Sequence, residues 1–244
     1  MKTVANLVMA IVVVTVPFLA TASEPVDSVF AKMDKVTNGY DDSMMDVHMT
    51  IYNLDGSKKT YDCEIYQKGL KRLLKFTSGE IKGMANLIMS PSEVYAYLPS
   101  QKKIRRVAPH KMGQSLAGSD MTSDDAAFAS WVEVYEPKLE KEDDKFWYVY
   151  ATGKKGAPYP AARLKIQKGD YLLAEYQFLN ASDGLVKTYT CTDVRNWSGI
   201  KRARHITIQD GQSAHKTTLE LKKFKVNQGL KDDFFSKRQL EWGR

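Results

Sequence analysis

The sequence is poor in the residues from which metal sites and disulfide scaffolds are built. It contains two cysteines, Cys63 and Cys191, and four histidines, and none of them stands at the short spacing of a zinc site. Two cysteines form at most one bridge, which an oxidising compartment would permit. The alternative is two small buried apolar side chains. We predict no metal and no cofactor.

Groups suited to catalysis are equally scarce. The segment Gly113–Ala117 (GQSLA) nearly matches the G-x-S-x-G nucleophile elbow. That motif requires a strand before it and a helix directly after it, whereas loop sequence flanks Ser115 on both sides. The acidic run Lys141–Lys145 lies at a predicted turn, which favours a solvated charge cluster. A hydrolase that uses Ser115 remains an alternative, but the sequence favours binding over catalysis and predicts no catalytic residue.

Long apolar runs are confined to the amino terminus. Met1-Lys2 gives a positive start, Leu7–Val16 is almost unbroken in apolar residues, and Ala20–Ala22 resembles a cleavage site. This order is typical of a secretory signal peptide. The run is shorter than the roughly 20 residues that span a bilayer. We expect residues 1–22 to be removed and residues 23–244 to form one periplasmic domain.

Positive charge is in excess, with a formal net charge of +7. A basic protein can bind nucleic acid, anionic lipid headgroups or an acidic partner. Export makes nucleic acid the least suitable of the three, so we expect no nucleic-acid partner and only transient contact with a membrane surface. The basic runs Lys102–Arg106 and Lys201–His205 are candidate docking patches.

What the chain does contain is one clear helix followed by many strands. Helical spacing predicts an amphipathic helix over Ser23–Tyr40, capped by Ser23 or Glu24. From Met44 onward apolar residues alternate with polar ones, which predicts about eleven strands separated by short turns. A second helix is predicted over Thr122–Trp131. A change of apolar parity predicts a β-bulge near Lys222-Lys223.

This order of elements predicts a mainly β fold with a few helices. An antiparallel sheet of about eleven strands has to curl or close, and the amphipathic helices need an apolar surface to cover. We therefore predict a half-open antiparallel β-barrel of about eleven strands with helices closing the mouth. Such a sheet encloses more volume than its own side chains readily fill, so the fold favours a cavity for an apolar ligand.

Methionine and aromatic side chains are plentiful enough to line such a cavity. Methionine is adaptable and suits surfaces that accept several apolar shapes. The loop Pro109–Asp120 is a candidate lid, although an ordered loop that covers a sheet edge is the alternative. The candidate cavity and lid residues are Met84, Leu87, Met89, Met112, Leu116, Met121, Phe128 and Trp131.

One stretch resembles a known family. Residues Tyr95–Asp125 (YAYLPSQKKIRRVAPHKMGQSLAGSDMTSDD) are similar to a signature of periplasmic outer-membrane lipoprotein-sorting proteins, the group related to the bacterial lipoprotein carrier and its outer-membrane receptor. Ile81–Tyr95 and the region from Trp197 to Arg204 are similar as well. The resemblance implies an open barrel whose hydrophobic cavity shields acyl chains in transit between membranes.

The resemblance also implies partners and structural residues. Its members are often associated with inner-membrane transporters of the resistance-nodulation-division type, so we expect such a partner besides lipid or lipoprotein acyl chains. The alternative is a non-catalytic module with a filled barrel that docks on the transporter through a basic face. The residues expected to fix the loop and the following helix are Arg105, Arg106, Gly118, Ser119 and Asp120.

Overall fold

The computed structural model describes residues 23–241. The predicted signal peptide, residues 1–22, lies outside the described residues. Residues 23–241 form thirteen β-strands and four α-helices. None of these helices combines the length and the apolar character that a membrane span requires.

The strands alternate with short turns for most of the chain. They are β1 (Asp42–Tyr52), β2 (Lys58–Lys68), β3 (Lys71–Phe76), β4 (Ala85–Ser90), β5 (Glu93–Leu98), β6 (Lys103–Arg106), β7 (Tyr135–Glu142), β8 (Phe146–Gly153), β9 (Ala161–Gln167), β10 (Leu173–Leu179), β11 (Leu185–Trp197), β12 (Ile200–Asp210) and β13 (Lys216–Val226). The α-helices are α1 (Val26–Asn38), α2 (Ser123–Ala127), α3 (Trp131–Val134) and α4 (Lys237–Glu241), and short 3-10 helices lie at Pro99–Gln101, Pro109–Lys111 and Asp232–Phe234.

All thirteen strands belong to one antiparallel sheet, in the order β6-β5-β4-β3-β2-β1-β13-β12-β11-β10-β9-β8-β7. Neighbouring strands follow one another in the sequence except for β1 and β13, which join the two halves of the sheet. Strands β6 and β7 are the edges, so the sheet does not close. The predicted half-open antiparallel fold is confirmed, with slightly more strands than the eleven or so expected.

Helix α1 begins later than the sequence predicts. Pro25 is its N-cap, without a side-chain capping bond, and the helix ends at Asn38 before Gly39. The predicted cap at Ser23 or Glu24 is therefore wrong. The Glu24 carboxylate instead accepts hydrogen bonds from the Ser28 hydroxyl (2.6 Å) and the Lys32 ammonium (2.7 Å). These contacts hold the pKa of Glu24 at about 2, with Lys32 as the largest cause.

The predicted β-bulge is confirmed at Lys222. Strand β13 pairs Leu221 with Val47 and Lys223 with Asp46, so Lys222 is the extra residue. The inserted residue changes which side the following residues face. As a result, Leu221 and Phe224 both reach one buried cluster with Val47.

The second predicted helix is interrupted. Phe128 is extended and separates α2 from α3, and each helix has its own cap. Thr122 caps α2 in a reciprocal box with Asp125: the Thr122 hydroxyl accepts from the Asp125 amide (3.1 Å), and the Asp125 carboxylate accepts from the Thr122 amide (2.8 Å). Helix α3 has a weaker cap, a 3.4 Å bond from the Glu133 amide to the Ser130 hydroxyl. The two helices, of 5 and 4 residues, are only about one turn each.

The sheet buries apolar residues on both faces. We call the face that packs against α1 the inner face; Phe30 and Met33 of α1 lie there beside Trp131 in the largest cluster. The opposite face of β3 to β5 is covered by the chain after β13, where Phe235 and Leu240 are buried. Helices therefore close the inner side, and the C-terminal segment covers part of the outer side.

Candidate functional site

Residues 107–134, which we call the strap, connect the two edge strands of the sheet. Strands β6 and β7 are consecutive in the chain but lie at opposite ends of the strand order. The strap therefore has to cross the open side of the curled sheet. Along the way Leu116 is buried against Met49 and Phe76, and Met112 is buried against Ile88. The strap is thus packed on the inner face and ordered by it.

Asp120 attaches the strap to strand β13. Its carboxylate accepts a hydrogen bond from the Thr217 hydroxyl (2.7 Å) and lies 2.8 Å from Nδ1 of His215. The Asp120 amide donates in turn to the Thr217 hydroxyl (2.9 Å). The adjoining Ser119 hydroxyl donates to the Leu116 carbonyl (2.6 Å) and closes the turn. These two predicted loop residues thus make contacts suited to fixing the strap.

Asp125 attaches helix α2 through a buried ion pair. Its carboxylate lies 2.8 Å from the Lys187 ammonium of β11, and the two side chains are only 4% and 7% exposed. The Tyr159 hydroxyl also donates to this carboxylate (2.8 Å), and Lys187 donates to the Asp120 carbonyl (2.7 Å). A buried pair is favourable only when its remaining hydrogen-bonding capacity is met. Here the surrounding donors and acceptors meet it.

Three further hydrogen bonds hold the C-terminal part of the strap. The Asp34 carboxylate of α1 accepts from the Ser130 hydroxyl (2.8 Å) and the Trp131 amide (2.9 Å). The Arg72 guanidinium of β3 donates to the Ala126 carbonyl (3.0 Å). Polar contacts therefore join the strap to a helix, to β3, to β11 and to β13.

A cavity of about 270 Å³ lies between the strap, α1 and the inner face. Most of its wall is apolar, and the polar groups on it include Gln67, Arg72, Asp125 and Arg202. The apolar lining includes Met45, Ile65, Leu74, Met121, Phe128, Trp131, Tyr176 and Ile206. The site is thus a small amphipathic space that the strap covers.

Two surface grooves adjoin this cavity. One, of about 180 Å³, shares Phe128 and Ala129 with it and is bordered by Leu70, whose side chain is exposed. The other, of about 450 Å³, shares Val36 and Lys201 with the cavity and continues along α1. Each groove therefore adds surface-open space next to the cavity.

The structure separates the predicted cavity residues into two groups. Met121, Phe128 and Trp131 line the cavity. Met112 and Leu116 are strap residues buried against the inner face, and Met84 packs beside the Leu116 cluster. All six contribute to the inner side of the molecule.

Leu87 and Met89 lie elsewhere. Successive residues of a strand point to opposite faces, and Ile88 occupies the inner face. Leu87 and Met89 therefore pack on the outer face, in the cluster that contains Phe235. The structure does not bring these two side chains to the cavity.

The remaining predicted loop residues lie away from the anchors. Arg105 donates to the Gln101 side chain (2.7 Å) and Arg106 donates to the Ser92 carbonyl (3.2 Å), both at the exposed edge strand. Gly118 has a φ of 80° in the tight turn between Leu116 and Ser119, a backbone conformation that glycine adopts readily. Only Ser119 and Asp120 of the predicted set contact the anchoring network.

Sequence reasoning missed the charged residues that face inward. Arg72 shares one side of β3 with Leu74 and Phe76, and Lys187 stands close to Tyr189 on β11. A charged residue at an apolar position of an alternating strand is the signal that could have revealed both. Neither was selected, because alternation by itself does not show which face is buried.

The two cysteines are not bridged. Cys63 is buried in the Leu116 cluster, and Cys191 lines the cavity. Burial raises the pKa of the Cys63 thiol to about 12 and that of Cys191 to about 11. The sequence allowed either a disulfide or two small apolar side chains, and the structure supports the second interpretation.

Other chemistry finds little support among residues 23–241. They contain no cluster of three or more His, Cys, Asp or Glu side chains that could hold a metal ion. The Ser115 hydroxyl donates to the Ser119 carbonyl (2.6 Å) inside a turn of the strap. It does not stand between a strand and a helix, as the nucleophile elbow requires.

Several solved structures share this fold. A DUF1329 family protein from Desulfovibrio piger is 21% identical, with a TM-score of 0.81 over 89% of this chain and 100% of the other. An outer membrane lipoprotein-sorting protein domain from Vibrio parahaemolyticus is 18% identical, with a TM-score of 0.77 over 88% and 97%. A LolA superfamily protein from Nitrosomonas europaea is 21% identical, with a TM-score of 0.76 over 89% and 100%. The resemblance to lipoprotein-sorting proteins is thus confirmed in the fold.

Sequence comparison then gives the family. A family model described as an uncharacterized protein matches residues 69–242, most of the chain, and the chain belongs to that family. No curated protein is similar enough to match. The matched region includes β3 to β13 and the whole strap.

Removing one partner of the Asp125–Lys187 ion pair should destabilise the fold strongly, because the other charge is left buried and unpaired. Lys187→Met leaves a buried carboxylate without its partner, so the free energy of unfolding should fall by about 3–5 kcal/mol. Urea denaturation followed by circular dichroism measures this loss. Lys223→Met, at a half-exposed lysine 3.6 Å from Asp46, is the matched control and should cost no more than about 0.5 kcal/mol. The double variant Lys187→Met/Asp125→Asn tests the coupling of the two residues. If its loss in the free energy of unfolding equals the sum of the losses of the two single variants, the residues are not energetically coupled.

Both thiols should react slowly in the folded protein at neutral pH. The thiolate is the reactive form, and the raised pKa of Cys191 alone should slow its reaction with Ellman's reagent by roughly 100-fold relative to the unfolded chain. Cys63 should be slower still, and the Cys63→Ser variant assigns the two rates. Rapid labelling of either thiol, or a non-reduced mass that is two hydrogens low, would contradict the structure.

Proposed function

We propose that this protein is a periplasmic carrier that holds an acyl chain of a lipid or lipoprotein beneath the strap and delivers it between membranes. The observation that carries the proposal is the apolar cavity between the strap and the inner face. The fold, shared with a lipoprotein-sorting protein domain, supports it. The signal-peptide pattern of residues 1–22 supports export.

The energetics favour a hydrocarbon ligand. Each buried CH₂ contributes about 0.8 kcal/mol, so a long chain gains several kcal/mol even when only part of it is enclosed. The cavity is about 270 Å³, close to the lower limit of roughly 300 Å³ for ligand pockets. A long acyl chain therefore extends into the adjoining grooves or displaces part of the strap. Phe128 borders both the cavity and one groove, so a chain that passes between these two spaces contacts its ring.

Delipidated protein should bind a fluorescent fatty acid saturably. Ala203 lines the cavity, so the larger side chain of Ala203→Phe should occupy part of it. The ligand would then bury one or two fewer methylenes. Its affinity should therefore fall by about tenfold or more. Ser57→Phe, at the exposed turn after β1, is the control of equal size and should leave affinity unchanged. Thermal unfolding checks that both variants fold. Absence of saturable binding by the wild-type protein would refute the carrier proposal.

A docking role is the second candidate, and the free edge strand β6 favours it. Its residues Arg105 and Arg106 are exposed and have no carboxylate partner within residues 23–241. The other basic run is largely neutralised, because Lys201 pairs with Asp170 and Arg204 pairs with Glu220. A transporter of the resistance-nodulation-division type with an acidic periplasmic surface is the partner we propose for this edge.

Charge reversal separates docking from cargo binding. The double variant Arg105→Glu/Arg106→Glu should abolish co-purification with the transporter while fatty-acid affinity stays within about twofold, because β6 lies outside the cavity lining. Lys58→Glu/Lys59→Glu, at the exposed start of β2, is the matched reversal and should retain the partner. Unchanged co-purification of the first variant would exclude β6 as the docking surface.

A further inference from the structure

Two arginines on the cavity wall have no carboxylate partner. Arg72 donates through Nη1 to the Ala126 carbonyl (3.0 Å) and through Nε to the Gln67 side chain (3.4 Å). Arg202 donates through Nη1 to the Tyr40 hydroxyl (2.7 Å) and to the Thr37 carbonyl (3.3 Å). Every one of these acceptors is neutral. Within residues 23–241 neither guanidinium forms a salt bridge, and each keeps donors that these bonds do not use.

The other charged groups on the cavity wall are already paired. Asp125 is bound by Lys187 at 2.8 Å, and Lys201 is bound by Asp170 at 3.0 Å. The cavity therefore carries two uncompensated positive charges beside a mainly apolar lining. Like charges repel more strongly in such surroundings than in water. Burial and, to a smaller extent, the charge of Arg202 lower the pKa of Arg72 to about 10, which still leaves Arg72 charged at neutral pH.

Resting on the proposed carrier function, we infer that the cargo is an anionic amphiphile whose acidic headgroup binds between Arg72 and Arg202 while its hydrocarbon chain occupies the apolar cavity. A guanidinium binds carboxylate or phosphate oxygens through two parallel N–H donors. An anion at this place offsets the positive charge of the pair, in part for a carboxylate and almost fully for a phosphate monoester, and it accepts hydrogen bonds from the free donors. The same chemistry fits a fatty-acid carboxylate and a phosphate monoester.

The position of the two arginines suits this assignment. Arg202 lies at the C-terminal end of α1, next to the groove that shares Val36 and Lys201 with the cavity. Arg72 lies under α2 and contacts the strap through Ala126. A headgroup between them is close to a surface groove, while Leu74, Met121 and Phe128 leave apolar space for the chain. Binding would also stabilise the strap, because Arg72 is one of its attachments.

Four ligands with one alkyl chain test the inference on delipidated wild-type protein. They are laurate, lauryl phosphate, lauryl alcohol and lauryltrimethylammonium, titrated below their micellar concentrations by calorimetry. At least one of the two anions should bind about tenfold or more tightly than the alcohol, as expected for a charge-assisted contact, and the cation should bind most weakly. Tighter binding of laurate or of lauryl phosphate identifies the carboxylate or the phosphate as the headgroup source.

Arginine variants locate the contact. Arg72→Gln and Arg202→Gln should each weaken binding of the preferred anion by about tenfold and change alcohol binding by less than about twofold. Arg202→Lys keeps the charge but not the paired donors, so it should bind the anion with intermediate affinity. Arg163→Gln is the matched control, because Arg163 pairs with Glu140 away from the cavity lining, and it should bind like the wild type.

The outcomes separate the inference from the function on which it rests. If none of the four ligands binds, the carrier proposal and this inference both fail. If the alcohol binds as tightly as both anions, the carrier proposal stands and the anionic cargo is excluded. If the glutamine variants weaken the alcohol and the anions equally, the arginines only hold the strap. If Arg72→Gln does not fold, the comparison of the four ligands on the wild-type protein still decides whether the cargo is anionic.

Discussion

The pairing of β1 with β13 determines the shape of this molecule. Without it the chain would form two separate meanders, one before the strap and one after it. The pairing joins them into a single sheet and makes β6 and β7 its outermost strands. Since these strands are consecutive in the chain, the strap must cross the whole open side. The length of residues 107–134, excessive for a turn, follows from that distance.

The strap combines two kinds of interaction with different consequences. Its attachments are polar and directional, and Asp120 and Asp125 are almost fully removed from water. Apart from Asp125, its contribution to the cavity wall is apolar, chiefly through Met121, Phe128 and Trp131. Directional bonds fix where the strap lies, whereas apolar contacts accept ligands of several shapes. One segment can therefore be well ordered and still border a permissive binding space.

The sequence predicted the strands and helices themselves better than it predicted which elements lie next to each other in the fold. Alternation located the strands because most have one buried face, and the change of parity located the bulge at Lys222. Alternation does not reveal which strand lies beside which, nor what covers each face. Strand β4 is buried on both faces over Ala85–Ile88, so its apolar residues could not be assigned to the cavity or the outer cluster. Leu87 and Met89 were assigned to the cavity because the covering C-terminal segment could not be foreseen, and Arg72 was missed because its burial depends on the strap.

Because the strap ends at both margins of the sheet, it couples their separation to its own conformation. A covalent tether of fixed residue number has a limited span. If an inserted hydrocarbon flattens the sheet, the margins move apart and the tether is put under tension. Tension of this kind would act first on the extended link at Phe128–Ser130 between α2 and α3, where regular helical bonding is interrupted. Curvature of the sheet and occupancy of the space beneath the strap would then be mechanically linked.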